Sequence, residues 1–215
     1  MSDRTQWREQ DGPVDFELIN VLMEDVTRTL ATLRQPFDQP TLRAVFRATF
    51  AAVEGITHYL KHEALRHADE CTPDELALLR EESYALTHSG EVSVSRRRLP
   101  SAYNFVFAAR MALRPLQPDI VVDPHDPGRL AFERAIHVRH RITHPRELRD
   151  LQITNEEVRC LVEGFQWCSG LLMRFEQAVL DLLKGGLEAI DQMFQEYVAR
   201  QNKSDSQQGN TDEEV

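Results

Sequence analysis

The sequence predicts an all-α protein, a helical bundle of five to six helices. Apolar residues recur at helical spacing through most of the 215-residue chain, and clean strand alternation is almost absent. Glycine is scarce, with 9 residues, and four of the 10 prolines fall together in residues 115–127. The connections between periodic segments are mostly short, which is typical of helices that are neighbours in a bundle.

Three helices are predicted in the first part of the chain. The first covers about 14–33 and ends at a Gln-Pro pair, and the second covers about 40–66. The third begins at a capping box in which Thr72 precedes a proline and Glu75 follows at the third helical position. Its apolar spacing continues to about Leu86.

The middle of the chain contains a connector, a fourth helix and a proline-rich loop. Residues 88–100 form the connector, which carries three consecutive arginines and a short segment, 91–94, that could be extended. The fourth helix covers about 101–113, and the loop follows over 115–127. The arginines are candidate phosphate contacts, with an ordinary solvated loop as the alternative.

The fifth helix has defined signals at both ends. Asp126 is its predicted N-cap and Pro127 occupies the first helical position. The helix must end near His144, because Pro145 disfavours helical backbone in the residue before it.

The sixth helix begins at a second capping box, residues 154–157. A glycine pair at 185–186 is expected to bend or break it before a further helical piece at 187–199. Residues 1–200 are therefore predicted to be a single domain. The polar, acidic tail at 201–215 lacks apolar anchors and is predicted to be disordered.

Composition limits the function classes. No apolar run is long enough to span a membrane and the N-terminus has no apolar signal core, which predicts a cytoplasmic protein. Three unevenly spaced cysteines are expected to be reduced thiols. The net charge of −10 argues against non-specific coating of nucleic acid. Yet residues 129–149 carry six arginines against two glutamates, which suits a localised anion site.

Arg139 is the unusual residue of the fifth helix. On a helical wheel it shares one line with Phe132 and Ile136, on the face that should pack against the core. A buried arginine is costly unless it is paired, so Arg139 should meet a carboxylate, line a polar cavity or serve a bound anion. His144 lies at the helix end, where the chain must turn. A purely structural ion pair and a capping histidine remain an alternative.

The segment from Ile136 to Pro145 resembles the signature of the HEPN superfamily (higher eukaryotes and prokaryotes nucleotide-binding). That signature is an arginine, a polar residue, three further residues and a histidine, often followed by proline. Arg139, His140 and His144 match it, although His140 stands where asparagine is commonest. The resemblance implies an all-α, metal-independent endoribonuclease of toxin–antitoxin or phage-defence type. Two motifs would face each other across a homodimer.

The resemblance also implies roles for these residues. Arg139 would hold the phosphate and His144 would act as general base or acid. His140 would orient the substrate or make the second proton transfer. RNA or a nucleotide is the implied ligand, an antitoxin or regulatory protein is a possible partner, and no metal or cofactor is implied.

Three further residues are candidate binding residues. Some members of the superfamily carry a glutamate followed, after three residues, by a lysine. Glu54 matches the glutamate and His58 replaces the lysine. Two alternatives are open for Glu54: an ion pair with Arg139, or one turn of a solvated helix face that it shares with His58. Arg141, on the predicted solvent side of the fifth helix, is the third candidate.

Alternatives of other classes remain at this point. The chain could be a HEPN-like domain without catalysis that binds a nucleotide or a partner protein. It could also be a plain helical interaction protein, for which Arg139 would form an ordinary ion pair. His58 and His62 lie four residues apart and could suit a metal, but no third ligand is identifiable.

Overall fold

The computed structural model describes residues 16–33 and 37–208. Within them the chain is mostly helical, with six α-helices and one antiparallel two-stranded hairpin. The helices are α1 (Phe16–Ala31), α2 (Gln39–Leu65), α3 (Pro73–Leu79), α4 (Ser101–Leu113), α5 (Pro127–Thr143) and α6 (Asn155–Gln208), and the strands are β1 (Glu82–Leu86) and β2 (Val92–Arg96). The predicted helical fold class is confirmed. None of the described helices combines the length and hydropathy that crossing a membrane requires.

The chain divides into two compact units, which meet in sequence at Phe175 and Glu176. The first contains α1 to α5, the hairpin and the first part of α6. The second consists of the chain from Glu176 onward, which is helical through Gln208. Apolar side chains in the described part of this second unit are largely exposed, as in Leu187 and Phe194.

The core of the first unit is centred on α2, which buries thirteen of its residues. Its largest enclosed side chains include Phe46, Ile56 and Leu60. Aromatic rings extend this core toward α5 and α6: Phe105 lies 5.8 Å from Phe132, and both rings also contact Trp167. Such aromatic pairs stabilise the core beyond the contribution of the apolar area that they bury. Trp167 therefore packs against the edge of this core.

Both predicted ends of α5 are confirmed. The side chain of Asp126 accepts hydrogen bonds from the backbone N–H groups of Gly128 (2.7 Å) and Arg129 (3.4 Å). Pro127 occupies the first turn, where its missing N–H costs nothing. The last helical residue is Thr143, because His144 before Pro145 has φ −124° and ψ 58°.

The prediction of the third helix is wrong in its second half. Helix α3 ends at Leu79, and the following residues form β1 instead of continuing the helix to Leu86. Glu81 has φ +55°, the left-handed region, so the chain turns there and cannot continue as a helix. Residues 92–94 of the segment predicted as extended belong to β2, which pairs with β1 from Glu82–Arg96 to Leu86–Val92.

The sixth helix differs from its prediction at two points. It passes through the glycine pair at 185–186 without a break. It also continues to Gln208, into the segment predicted to be disordered from residue 201, while residues 209–215 of that segment lie outside the described residues. The three cysteines are free thiols, as expected.

Candidate functional site

Helix α5 is held tightly against the first part of α6. A Cβ placed on Gly164 of α6 would lie 2.6 Å from the backbone Cα of Phe132 in α5. A Cβ on Gly128 of α5 would lie 2.5 Å from the Cβ of Trp167. Real Cβ atoms do not approach so closely, so these two glycines allow the helix backbones to meet. This contact fixes the position of the motif carried by the end of α5.

Arg139 is paired with Glu54, which was one of the two alternatives that the sequence left open for this carboxylate. Its Nη2 donates to Oε1 of Glu54 at 2.6 Å, and the pair links α5 to α2. The guanidinium also lies 5.9 Å from the centre of the Phe50 ring, within reach of a cation–π contact. The Arg139 side chain is 20% exposed, so it lies at the edge of the core and remains accessible to a ligand.

The two motif histidines lie at the end of the same helix and are both exposed. The backbone N–H of His144 donates to the carbonyl of His140 at 3.0 Å, which closes the last turn. Partial burial lowers the pKa of His140 below its ordinary value, and the charges of Arg139, His137, His144 and Arg98 lower it further. His140 is thus placed in a positive environment that favours its neutral form.

The turn after α5 is shaped by one carboxylate. Oδ2 of Asp150 accepts from the backbone N–H groups of Arg146 (2.8 Å) and Glu147 (3.2 Å). These bonds hold the pKa of Asp150 below its usual range. They fold the segment after Pro145 into a compact turn, which defines the backbone next to His144.

Arg141 does not project freely into solvent, which corrects the prediction from the helical wheel. Its guanidinium donates to Oε1 of Glu157 at 2.7 Å and to the carbonyl of Arg149 at 3.4 Å. The carboxylate of Glu157 in turn accepts from the backbone N–H of Thr154, as the capping box predicted. Arg141 therefore ties α5 to the start of α6, and the structure gives it a structural role.

His58 lies one turn after Glu54 on the exposed side of α2. Within the described residues, the side chain of His58 makes no hydrogen bond. The structure thus joins Glu54 to the motif directly, whereas it places His58 on the same helix without a contact to Arg139.

A cavity of about 320 Å³ lies between α5 and the first turns of α6. Val138 and the buried Cys160 contribute apolar lining, and His137 and Arg134 are among its polar residues. Arg139, His140 and His144 do not line it. His137 borders this cavity, and its charge also contributes to the lowered pKa of His140.

A second polar cluster, which the sequence analysis did not identify, is centred on Glu81. Its Oε1 accepts from Nζ of the buried Lys61 at 2.9 Å and from Nδ2 of Asn104 at 3.1 Å. Burial lowers the pKa of Lys61 against the opposing effect of Glu81. Burial raises the pKa of Glu81, but Lys61 and Asn104 outweigh it, so the net pKa is lowered. The cluster joins α2, α4 and the turn before β1.

This cluster also anchors the arginine triplet of the connector. The carbonyl of Glu81 accepts from the backbone N–H of Arg97 at 2.6 Å, and its carboxylate lies 3.7 Å from Nε of Arg96. The next residue, Arg98, is exposed, and its charge contributes to the lowered pKa of His140. Arg96 and Arg97 therefore contact Glu81, whereas Arg98 acts on the motif of α5 through its charge.

Lys61 carried one sequence signal, since it falls on the buried side of an amphipathic helix. Nothing in the sequence pointed to Glu81, because the groups that donate to it are brought together only in the folded chain. The described residues show no group of three or more histidine, cysteine or carboxylate side chains arranged to hold a metal ion.

The arrangement brings a guanidinium, an imidazole with a lowered pKa and a second exposed imidazole to one helix end. A guanidinium can hold phosphate oxygens, and imidazoles can exchange protons near neutral pH. Comparisons with protein-family models, with curated proteins and with solved structures find no match for this chain.

Proposed function

We propose that the protein is a metal-independent endoribonuclease of HEPN type. The observation that carries the proposal is the Arg139 guanidinium, which lies half-buried near the end of α5 beside Phe50 and whose charge helps to lower the pKa of His140. RNA is the proposed substrate because its 2′-hydroxyl supplies a nucleophile next to the phosphate, so that proton transfer and charge stabilisation suffice for cleavage.

The proposed roles follow from the electrostatics of each group. Arg139 holds a non-bridging phosphate oxygen and stabilises the negative charge that builds up during the reaction. The lowered pKa of His140 favours its neutral form, which is the form that can accept a proton. His144, exposed at the following turn, is the candidate proton donor.

The reaction is balanced without any further reagent. His140 takes the proton of the 2′-hydroxyl, and the 2′-oxygen forms a bond to phosphorus. The bond from phosphorus to the 5′-oxygen breaks, and the leaving oxygen takes a proton from His144. The products are a 2′,3′-cyclic phosphate and a free 5′-hydroxyl.

The resemblance to HEPN proteins supplies the rest of the proposal. The protein acts in the cytoplasm as a homodimer, in a toxin–antitoxin or phage-defence setting, and an antitoxin or regulatory protein could neutralise it. The exposed apolar side chains of the second unit support association with another chain.

The test is cleavage of a mixed RNA in the presence of EDTA. We expect cleavage by the wild-type chain, with 2′,3′-cyclic phosphate ends. Arg139→Ala and His144→Ala should each lower the rate by at least about a hundredfold. His125→Ala, which removes an exposed loop histidine, is the matched control.

Substrate controls make the test specific. DNA and 2′-O-methyl RNA of the same sequence should remain intact, because neither offers a free 2′-hydroxyl. Unchanged cleavage in the Arg139 and His144 variants would exclude both residues from the mechanism.

A second candidate function is a HEPN-like domain that binds a nucleotide or a partner protein without catalysis. The observation that favours it is the 2.6 Å pair with Glu54, which already satisfies the charge of Arg139. This candidate predicts RNA or nucleotide binding that Arg139→Ala weakens, and no cleavage products in EDTA.

A further inference from the structure

The helix of the second unit presents an exposed apolar seam with a heptad pattern. Its six residues are spaced alternately by three and four positions, and each is at least half exposed: Leu180, Leu183, Leu187, Ile190, Phe194 and Tyr197. This spacing is the a/d pattern by which helices pack in coiled coils. At 1.5 Å per residue the seam is roughly 26 Å long. Contiguous exposed apolar surface of this kind marks an interaction site.

We infer that residues 180–197 form an antiparallel two-stranded coiled coil with the same segment of a second copy of this chain. The inference rests on this helix alone and does not depend on nuclease activity. It goes beyond the proposed homodimer because it assigns the contact surface, its direction and its register.

The antiparallel register is self-complementary. If Leu187 of one copy lies opposite Ile190 of the other, then Leu183 lies opposite Phe194 and Leu180 opposite Tyr197. Every seam residue then faces an apolar residue of the second copy. A two-fold axis passes through the middle of the segment, so each of the three layers occurs twice.

Charge complementarity selects the antiparallel direction. Lys184 and Asp191 occupy equivalent flanking positions, one heptad apart. In the antiparallel register Lys184 of each copy faces Asp191 of the other, which gives two opposite-charge pairs. In a parallel dimer the flanking partner of Lys184 would be Val179 and that of Asp191 would be Gly186, so neither charge would be paired.

The opposite flank is also compatible with this register. Gly186 of one copy faces Met193 of the other, and the space around Gly186 is open, with nothing within 4 Å of a Cβ placed on it. The side chain of Met193 can therefore lie across Gly186 without a clash, so a glycine at this flanking position fits the register.

The first experiment measures the oligomeric state of the full chain by light scattering over a range of concentrations. We expect a dimer for the wild type and a monomer for Leu187→Lys. The matched control is Leu182→Lys, because Leu182 is 63% exposed against 67% for Leu187 but lies off the seam. The control should remain dimeric. A monomeric wild type, or equal disruption by both variants, would overturn the proposal.

Exchanging the charges of Lys184 and Asp191 tests whether these side chains pair between the two copies. Lys184→Asp should raise the dimer dissociation constant by about fivefold, since it places like charges opposite each other. The double variant Lys184→Asp with Asp191→Lys should restore the wild-type constant. Absence of this rescue would overturn the assigned direction.

Direct disulfide formation under mild oxidation, which needs the two side chains in contact, tests the register in a Cys71→Ser background, where the two remaining cysteines are buried. Mixing Leu187→Cys chains with Ile190→Cys chains should give a crosslinked dimer. Leu187→Cys alone should give little, since Leu187 does not face itself. Efficient self-crosslinking of Leu187→Cys would instead demonstrate parallel helices and refute the antiparallel register.

Discussion

Nη2 of Arg139 lies 2.6 Å from Oε1 of Glu54, so the cation proposed to hold a phosphate already has an anionic partner. A phosphate must share this guanidinium with the carboxylate or displace it. If RNA binds as proposed, Glu54 competes with it for Arg139, and its side chain is exposed enough to move aside.

Replacement of this competitor should strengthen RNA binding. We expect Glu54→Gln to lower the Kd for an uncleavable 2′-O-methyl RNA by about fivefold, because one negative charge next to the phosphate is removed. The free energy of unfolding should fall by less than about 1 kcal/mol, as for other exposed pairs. Fluorescence anisotropy and urea unfolding measure the two effects.

A matched control for this variant exists on α1. Glu24→Gln breaks an ion pair with Arg28 that has the same 2.6 Å separation. It should leave the Kd unchanged. Weaker RNA binding by Glu54→Gln would show that the carboxylate orients Arg139 for the ligand and does not compete with it.

Arg98 should influence the protonation of His140. Because the charge of Arg98 helps to lower the pKa of His140, Arg98→Gln should raise that pKa, as followed by NMR titration of the imidazole. The acidic limb of the kcat/KM profile should move to higher pH, since His140 must be neutral to accept a proton. Arg110→Gln removes an exposed arginine of α4 as the control. An unmoved His140 titration would contradict the proposed electrostatic link.

The Glu81 cluster should contribute strongly to stability. Glu81→Ala leaves the buried Lys61 without its carboxylate partner, and the free energy of unfolding should fall by about 3 kcal/mol. Lys61→Met combined with Glu81→Gln should recover most of this loss, because no unpaired charge remains. Glu24→Ala, which breaks an exposed pair, should cost less than about 1 kcal/mol. Urea unfolding distinguishes these cases, and equal losses for Glu81→Ala and Glu24→Ala would refute the prediction.

Two glycines of α6 should respond in opposite directions to the same substitution. Gly164→Ala forces a Cβ against the backbone of Phe132 and should destabilise the fold by about 2 kcal/mol. Gly170→Ala meets open space and should stabilise the helix by about 0.5–1 kcal/mol, since alanine has the higher helix propensity. Thermal unfolding of both variants measures the difference. A neutral Gly164→Ala would show that α5 and α6 can separate without cost.

Local chemistry explains what the sequence predicted correctly. Both ends of α5 follow from an aspartate cap and from a proline that excludes helix before it, and these effects act within a few residues. The position of Arg139 on an apolar face required a compensating partner, and a carboxylate was one of the options; Glu54 was named as a candidate from the resemblance. In each case the requirement, a helix end or a partner for a charge, follows from the type of the residue and its position in the sequence.

Long-range contacts explain what could not be predicted. Helix α3 stops before Glu81, which has a left-handed backbone and whose carboxylate accepts from donors on α2 and α4 that lie 20 and 23 residues away in sequence. Arg141 was placed in solvent by its position on the wheel, yet Glu157 of α6 covers that face. Periodicity describes one helix at a time and does not include its neighbours.

The hydrogen bond from the backbone N–H of Arg97 to the carbonyl of Glu81 closes the chain at the base of the hairpin. Residues 82–96 therefore form a hairpin that leaves the helical scaffold and returns to it at the same point. Its tip at Ser89–Gly90 is exposed, and a side chain added at Gly90 would meet nothing within 4 Å of its Cβ. The tip is accordingly a natural place to splice in an epitope or a fluorescent reporter while the helices keep their native connections.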